Sequence, residues 1–111
     1  MMGSLTGTQE NRNTSMNWGH DFTMAAGFFT SLSCSTRLSI IQLLSGGPLF
    51  VNEIAEHLDC SQPLISQHLK ILRTAGIVGS TRKGRKIVYH ISNPLALDIV
   101  QRVTMQAESS R

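Results

Sequence analysis

Cysteine is scarce. Only Cys34 and Cys60 occur in 111 residues, too few to staple a disulfide scaffold, and such usage suits a reducing compartment where thiols stay free unless they sense or catalyse. No apolar run approaches the ~18 uncharged residues that a membrane helix needs. The opening stretch, MMGSLTGTQENRNTSMN, has no basic region leading into an apolar one, so export is not expected and the cytoplasm is the expected compartment. Aromatic residues number only six, yet 41% of the chain is apolar, too much for a disordered segment. That leaves one domain with one modest core and no room for a second catalytic lobe. There is no nucleophile elbow, phosphate-cradling glycine loop or set of paired carboxylates, so no enzyme is expected and no cofactor is called for.

Negative charge is missing over a long stretch. Between Asp59 and Asp98 there is no acidic residue, while Lys70, Arg73, Arg82, Lys83, Arg85 and Lys86 all fall there. Against a chain total of +3, those six positive charges leave the remainder three units negative. A solvated surface normally mixes both signs. A segregated basic block is the electrostatic footprint of a protein that meets phosphates.

Periodicity divides the chain. Residues 1–17 carry almost nothing to bury and read as a flexible tail, with the domain following over 18–111. The cluster Trp18, Gly19, His20 and Asp21 reads as helix-cap and surface chemistry. From His20, the residues Phe22, Met24, Ala25, Ala26, Phe28, Phe29 and Leu32 cover more than one side of a helix, which predicts burial on several sides and a second subunit as one source of cover. Ser35 and Thr36 are the expected caps of the next helix, built on Leu38, Ile41, Leu43 and Leu44 and ended by Gly46, Gly47 and Pro48. Leu49 to Val51 reads as a connector, and Asn52 as the N-cap of a short helix burying Ile54, Ala55 and Leu58. Asp59, Cys60 and Ser61 form a turn. Ser61 then caps a helix that tolerates Pro63 in its first turn and stops at Gly76. This is a helix-turn-helix over 52–76. The β-branched and aromatic run after it, folded about RKGRK with Gly84 at a positive-φ position, predicts a two-stranded wing over 77–91. Asn93 and Pro94 open a last helix over 94–109, on which Leu95, Ile99, Val103 and Ala107 form a narrow stripe suited to pairing with another helix.

On a wheel of about 100° per residue with Ile65 at zero, Leu69 and Leu72 lie within about 40°. Gln62, Ser66, Arg73, Lys70, Pro63 and Gln67 fill the arc from about 60° to 200°. Amides pair with adenine edges, hydroxyls with several bases, and Lys or Arg with guanine edges or phosphates. An ordinary surface helix also has a polar outer face; the basic wing directly after it is what points to DNA. A rival of another class is a basic module that binds acidic proteins.

The segments LSCSTRLSIIQLLSGG, VNEIAEHLDCSQPLISQHLKILRTAGIV and TRKGRKIVYHIS together resemble the ArsR/SmtB family of bacterial winged-helix repressors, over about Leu32 to Ser92 and into the last helix. The resemblance implies a mainly α fold with a two-stranded β-wing, and a winged helix-turn-helix joined into a homodimer through its first and last helices. It also implies a double-stranded inverted-repeat operator and release by a signal. The candidate DNA contacts are then Ser61, Gln62, Ser66, Gln67, Lys70 and Arg73 on the helix, with Gln62, Ser66, Gln67 and Lys70 nearest the bases. Arg82, Lys83, Arg85 and Lys86 on the wing meet phosphates. His68, at about 300° on the same wheel, reads as packing plus a hydrogen bond.

Metal-sensing relatives carry a Cys-x-Cys pair where this chain has Phe50 and Asn52, and a second ligand set where it has Asn93, Leu95, Gln106 and Ser109. Neither set is present. Two thiols remain. Cys34 and Cys60 each adjoin a helix start, where the dipole favours thiolate. Three readings stay open: a thiol that answers oxidation, a non-standard metal site using Cys34 or Cys60 with His20, His57 or Asp21, or small residues that fill space.

Overall fold

The computed structural model describes residues 22–110. The tail expected over 1–17 and the cluster Trp18, Gly19, His20 and Asp21 lie outside the described residues. Helix α1 occupies residues 22–32, and a boundary between two compact units falls within it, after Thr30. In its first unit the rings of Phe28 and Phe29 meet edge-on, 5.3 Å between centroids. Phe22, Met24 and Phe29 are exposed in the single chain, not buried as their all-round apolar pattern predicts. Such a pattern marks surface that needs cover without saying where in the assembly the cover comes from.

The second unit begins at Ser31. Its elements are α2 (Ser35–Leu44), β1 (Leu49–Phe50), α3 (Val51–Leu58), α4 (Gln62–Thr74), β2 (Val78–Lys83), β3 (Lys86–Ile91) and α5 (Pro94–Ser109). Its core is built from Leu32 at the end of α1, Ile40, Ile41 and Leu44 from α2, Ile54 and Ala55 from α3, Ile65, Leu69 and Leu72 from α4, Ile77 after it, Val78 and Val88 from the sheet, and Ala96 and Val100 from α5.

Three local expectations need correction. Cys34, not Ser35 or Thr36, is the N-cap of α2, in extended backbone and without a side-chain cap bond. Helix α3 starts at Val51, not after Asn52. Its first turn is closed by the Glu53 carboxylate, which accepts from the Phe50 N–H at 2.8 Å; an acid at this position satisfies an orphan donor and favours the positive end of the helix. The residues 49–51 are more than a connector, because Leu49 and Phe50 pair antiparallel with Tyr89 and Val88. The wing is therefore a three-stranded sheet in the order β1, β3, β2, with a short edge strand that anchors the ribbon to α3.

The turn between α3 and α4 rests on Asp59, which adopts φ 54°, a left-handed conformation that Asp and Asn tolerate better than most residues. The Cys60 N–H then reaches back to the Ala55 carbonyl at 3.0 Å. Ser61 caps α4 by accepting from the Leu64 N–H at 3.3 Å. Gly76, at φ 77°, ends α4 as its C′ residue. Buried Ile77 follows as the pin between three elements. Its N–H bonds the Leu72 carbonyl at 2.9 Å, and its own carbonyl accepts from Ser92 and Asn93 at 3.0 and 3.2 Å. Gly84, at φ 64°, turns the ribbon between Lys83 and Lys86, which pair across it. Asn93 caps α5 through the Leu95 N–H at 3.0 Å.

Candidate nucleic-acid interface

Burial of Ile65, Leu69 and Leu72 on one side of α4 fixes what the other side presents. Gln62, Pro63, Ser66, Gln67, Lys70 and Arg73 are all exposed. The ribbon follows α4 after only Ala75, Gly76 and Ile77, so its first strand packs against the helix that precedes it. An open groove results, lined by Gln62 and Ser66 from α4, Arg85, Lys86 and Ile87 from the ribbon, and Phe50, Val51 and Asn52 from the start of α3. It brings amide, hydroxyl and guanidinium groups to one concave surface. Those groups match base edges and phosphates in kind.

The expected residues do not all converge there. Gln67 and Lys70 stand farther round α4 and do not line the groove. Arg73 is turned to the sheet, its guanidinium 3.4 Å from the Ser80 hydroxyl, to which it donates. Arg82 and Lys83 sit exposed near the ribbon tip. The Lys86 ammonium lies 5.2 Å from the centroid of the Phe50 ring, an attraction that ties the turn end of β3 to the residue just before α3. Ser61 is engaged as the cap of α4. The contribution of Phe50, Val51 and Ile87 to the groove escapes a helical wheel, because these residues belong to other elements.

Other contacts on α4 also lie beyond the reach of periodicity. Leu64 and Ile71 are exposed at 41% and 43%, on the flank away from the groove. On that flank His68 is half-buried, and a guanidinium nitrogen of Arg37 lies 3.3 Å from its Nδ1. Burial, and then the Arg37 charge, hold the His68 imidazole below its ordinary value of 6.5.

The two thiols differ in setting. Cys34 is half-buried at the start of α2, and its thiol is held below the ordinary value of 9.0. The nearby Arg37 backbone N–H is the largest cause; burial opposes it, and the Thr36 backbone N–H, the Arg37 charge and the Thr36 hydroxyl add to it. The Cys60 thiol donates to the Leu58 carbonyl at 3.4 Å. Among the described residues no three His, Cys, Asp or Glu side chains gather as a metal-holding group; His20 and Asp21 lie outside them. At the family's metal positions the donors do not fit. Phe50 offers a ring, Leu95 an alkyl chain that is exposed, and the Asn93 side chain is spent as a helix cap. Asn52, Gln106 and Ser109 offer only amides or a hydroxyl, weak partners for thiophilic or borderline metals.

The arrangement is a winged helix-turn-helix, and comparison with known proteins agrees. Residues 34–80 match the family described as bacterial regulatory protein, arsR family. The transcriptional repressor SdpR of Bacillus subtilis is 39% identical over 72 residues, which span 65% of this chain and 80% of that protein. A probable mercury resistance operon repressor of Streptomyces lividans is 37% identical over 75 residues, 68% of this chain and 60% of that one. Among solved structures, the homodimeric winged helix-turn-helix DNA-binding domain of a possible ArsR-family regulator from Mycobacterium bovis superposes with a TM-score of 0.76. It is 24% identical and is matched over 83% of this chain and 85% of its own. This chain belongs to the ArsR family. The family is one of transcriptional regulators, not of enzymes. Among the described residues no helix is long and apolar enough to cross a membrane.

Proposed function

We propose that this chain is a cytoplasmic, homodimeric transcriptional repressor that binds an inverted repeat in double-stranded DNA. The observation that carries the reading is the groove in which Gln62 and Ser66 of α4 meet Arg85 and Lys86 of the wing. In this reading α4 enters the major groove, as the second helix of such motifs does. Gln62, Ser66, Gln67 and Lys70 face base edges, while Arg73, Arg82, Lys83, Arg85 and Lys86 act mainly on phosphates. Ser61 holds the first turn of α4 and lies beside the backbone. Exposed Leu95 and Val103 on α5, with Phe22, Met24 and Phe29 on α1, supply the apolar surface for the second copy. The basic-module alternative lacks any need for the amide and hydroxyl groups that share the groove with the cations.

For the signal, the reading is thiol oxidation at Cys34. The lowered thiol supports it, since thiolate is the form that oxidants attack. The donors at the family's metal positions favour this over metal sensing. Footprinting of the protein on the promoters of its own and adjacent genes, repeated with diamide and with zinc or cadmium, tests both parts. Protection of an inverted repeat that diamide relieves in the wild type, and fails to relieve in Cys34→Ser, is the expected outcome. Release by metal alone would replace the thiol reading. Absence of any protected repeat would defeat the repressor reading itself.

A further inference from the structure

Arg37 joins two places that the sequence keeps far apart. From α2 its Nε donates to the carbonyl of Ser31, in the last turn of α1, at 2.6 Å. Its terminal nitrogen stands 3.3 Å from Nδ1 of His68 on α4. A guanidinium has five donors and no acceptor and does not lose its proton in proteins. The contact is therefore a hydrogen bond only when Nδ1 carries a lone pair, which places the imidazole proton on Nε2. A second proton, on Nδ1, would set donor against donor and cation against cation.

His68 adjoins Gln67 and lies two residues from Ser66 and Lys70. A side chain that fixes the roll of α4 at His68 thus fixes where those three groups point, and such groups discriminate only when held to within a fraction of an ångström. We propose that Arg37 is a positioning residue for the base-facing side of α4, acting through neutral His68, and that a proton on His68 releases the helix from the α1–α2 junction. The inference rests on the DNA-reading role proposed for α4. Among the described residues, the charged or titratable groups on elements packed against α4 are Arg37 on α2, Glu53, Glu56 and His57 on α3, and Arg82 and Lys83 on β2, with Lys70 and Arg73 on α4 itself. Of these, Arg37 is the group whose charge acts on the ring, in the direction that keeps it neutral.

The test compares wild type, His68→Gln, whose amide oxygen can accept from Arg37 without titrating, and His68→Leu, which cannot accept at all. Fluorescence anisotropy at fixed ionic strength measures affinity for a duplex that the wild-type protein selects from a random pool, and for a random duplex of equal length, at about pH 7.5 and about pH 5, the lower arm set well under the ordinary histidine value because His68 is held below it. Between the two, the wild-type preference for the selected duplex should fall about tenfold, the effect of losing one hydrogen bond to a charged group. His68→Gln should keep its preference at both, and His68→Leu should show the reduced preference at both. The other histidines of the chain are common to all three proteins, so any contribution they make cancels in the comparison. Long-range proton–nitrogen NMR of the wild type, which needs no variant to fold, should show Nδ1 of His68 unprotonated at neutral pH. Parallel pH profiles for wild type and His68→Gln, or a protonated Nδ1 at neutral pH, would overturn the inference while leaving DNA binding intact. A wild type with no preference for any duplex at neutral pH would overturn the DNA-reading role and this inference with it.

Discussion

The imidazole of His90 occupies the space above Gly79, its partner across the β2–β3 ladder: a β-carbon on residue 79 would stand 2.7 Å from Nε2 and 2.9 Å from Cε1. Glycine is needed there for room, since the backbone at 79 is not in the left-handed region. Gly79→Ala should therefore cost about 1 kcal/mol in the wild type, through displacement of the ring. In a His90→Ala background the same change should stabilise by about 0.5 kcal/mol, by removing unfolded-state freedom. Urea denaturation of the four proteins of this cycle measures the coupling. Equal effects of Gly79→Ala in both backgrounds would show that the ring does not govern the site.

Helix α5 has two apolar faces with different fates. Ala96 and Val100 are buried in the chain's own core, whereas Leu95 and Val103 are exposed at 58% and 63%. Changing the exposed pair leaves the single-chain fold with little to lose. Val103→Glu should shift light-scattering mass from dimer to monomer at micromolar concentration, with the unfolding free energy of the monomer changed by under about 0.5 kcal/mol. A variant that remains fully dimeric would move the interface elsewhere.

At Cys34 the Arg37 N–H stabilises thiolate over thiol, so the folded value lies below 9.0 and the reactive fraction at neutral pH is larger than for an unperturbed cysteine. Iodoacetamide labelling of Cys34 followed by mass spectrometry across pH should give a midpoint below 9.0. Unfolding in urea should restore the ordinary midpoint. A folded-state midpoint at or above 9.0 contradicts the role assigned to the Arg37 N–H.

Much of this architecture is legible in the residues themselves. Ser61, Pro63 and Gly76 delimit α4 because caps and positive-φ positions are local demands, and Gly84 marks the ribbon turn for the same reason. What escapes is whatever depends on a partner distant in sequence. The pairing of Leu49 and Phe50 with β3 requires knowing where Tyr89 lies. The Arg37 contact to His68 and the turn of Arg73 toward Ser80 arise between elements, so no helical wheel contains them. The stripe on α5 gives the period correctly, but the core takes Ala96 and Val100 and leaves Leu95 and Val103 outside, since both sets follow the same helical spacing of four residues or twice four.

The cations assigned to phosphates make a separate, quantitative claim. Lys70→Ala and Arg85→Ala should each weaken binding to DNA, leave the dimer intact, and flatten the log–log dependence of affinity on salt by about 0.9 if one phosphate contact is lost. Gel-shift titrations at several salt concentrations measure this. Unchanged affinity and slope in both variants would remove this surface from the interface.

The most direct measurement of the central claim is equilibrium binding of the wild-type dimer to an inverted-repeat duplex from its own promoter and to a scrambled duplex of the same length and composition, at near-physiological salt. The account predicts a preference of about 10³-fold or more for the repeat, as specific DNA readers show. Equal affinity for the two duplexes, or a monomer that binds neither even at low salt, would contradict it.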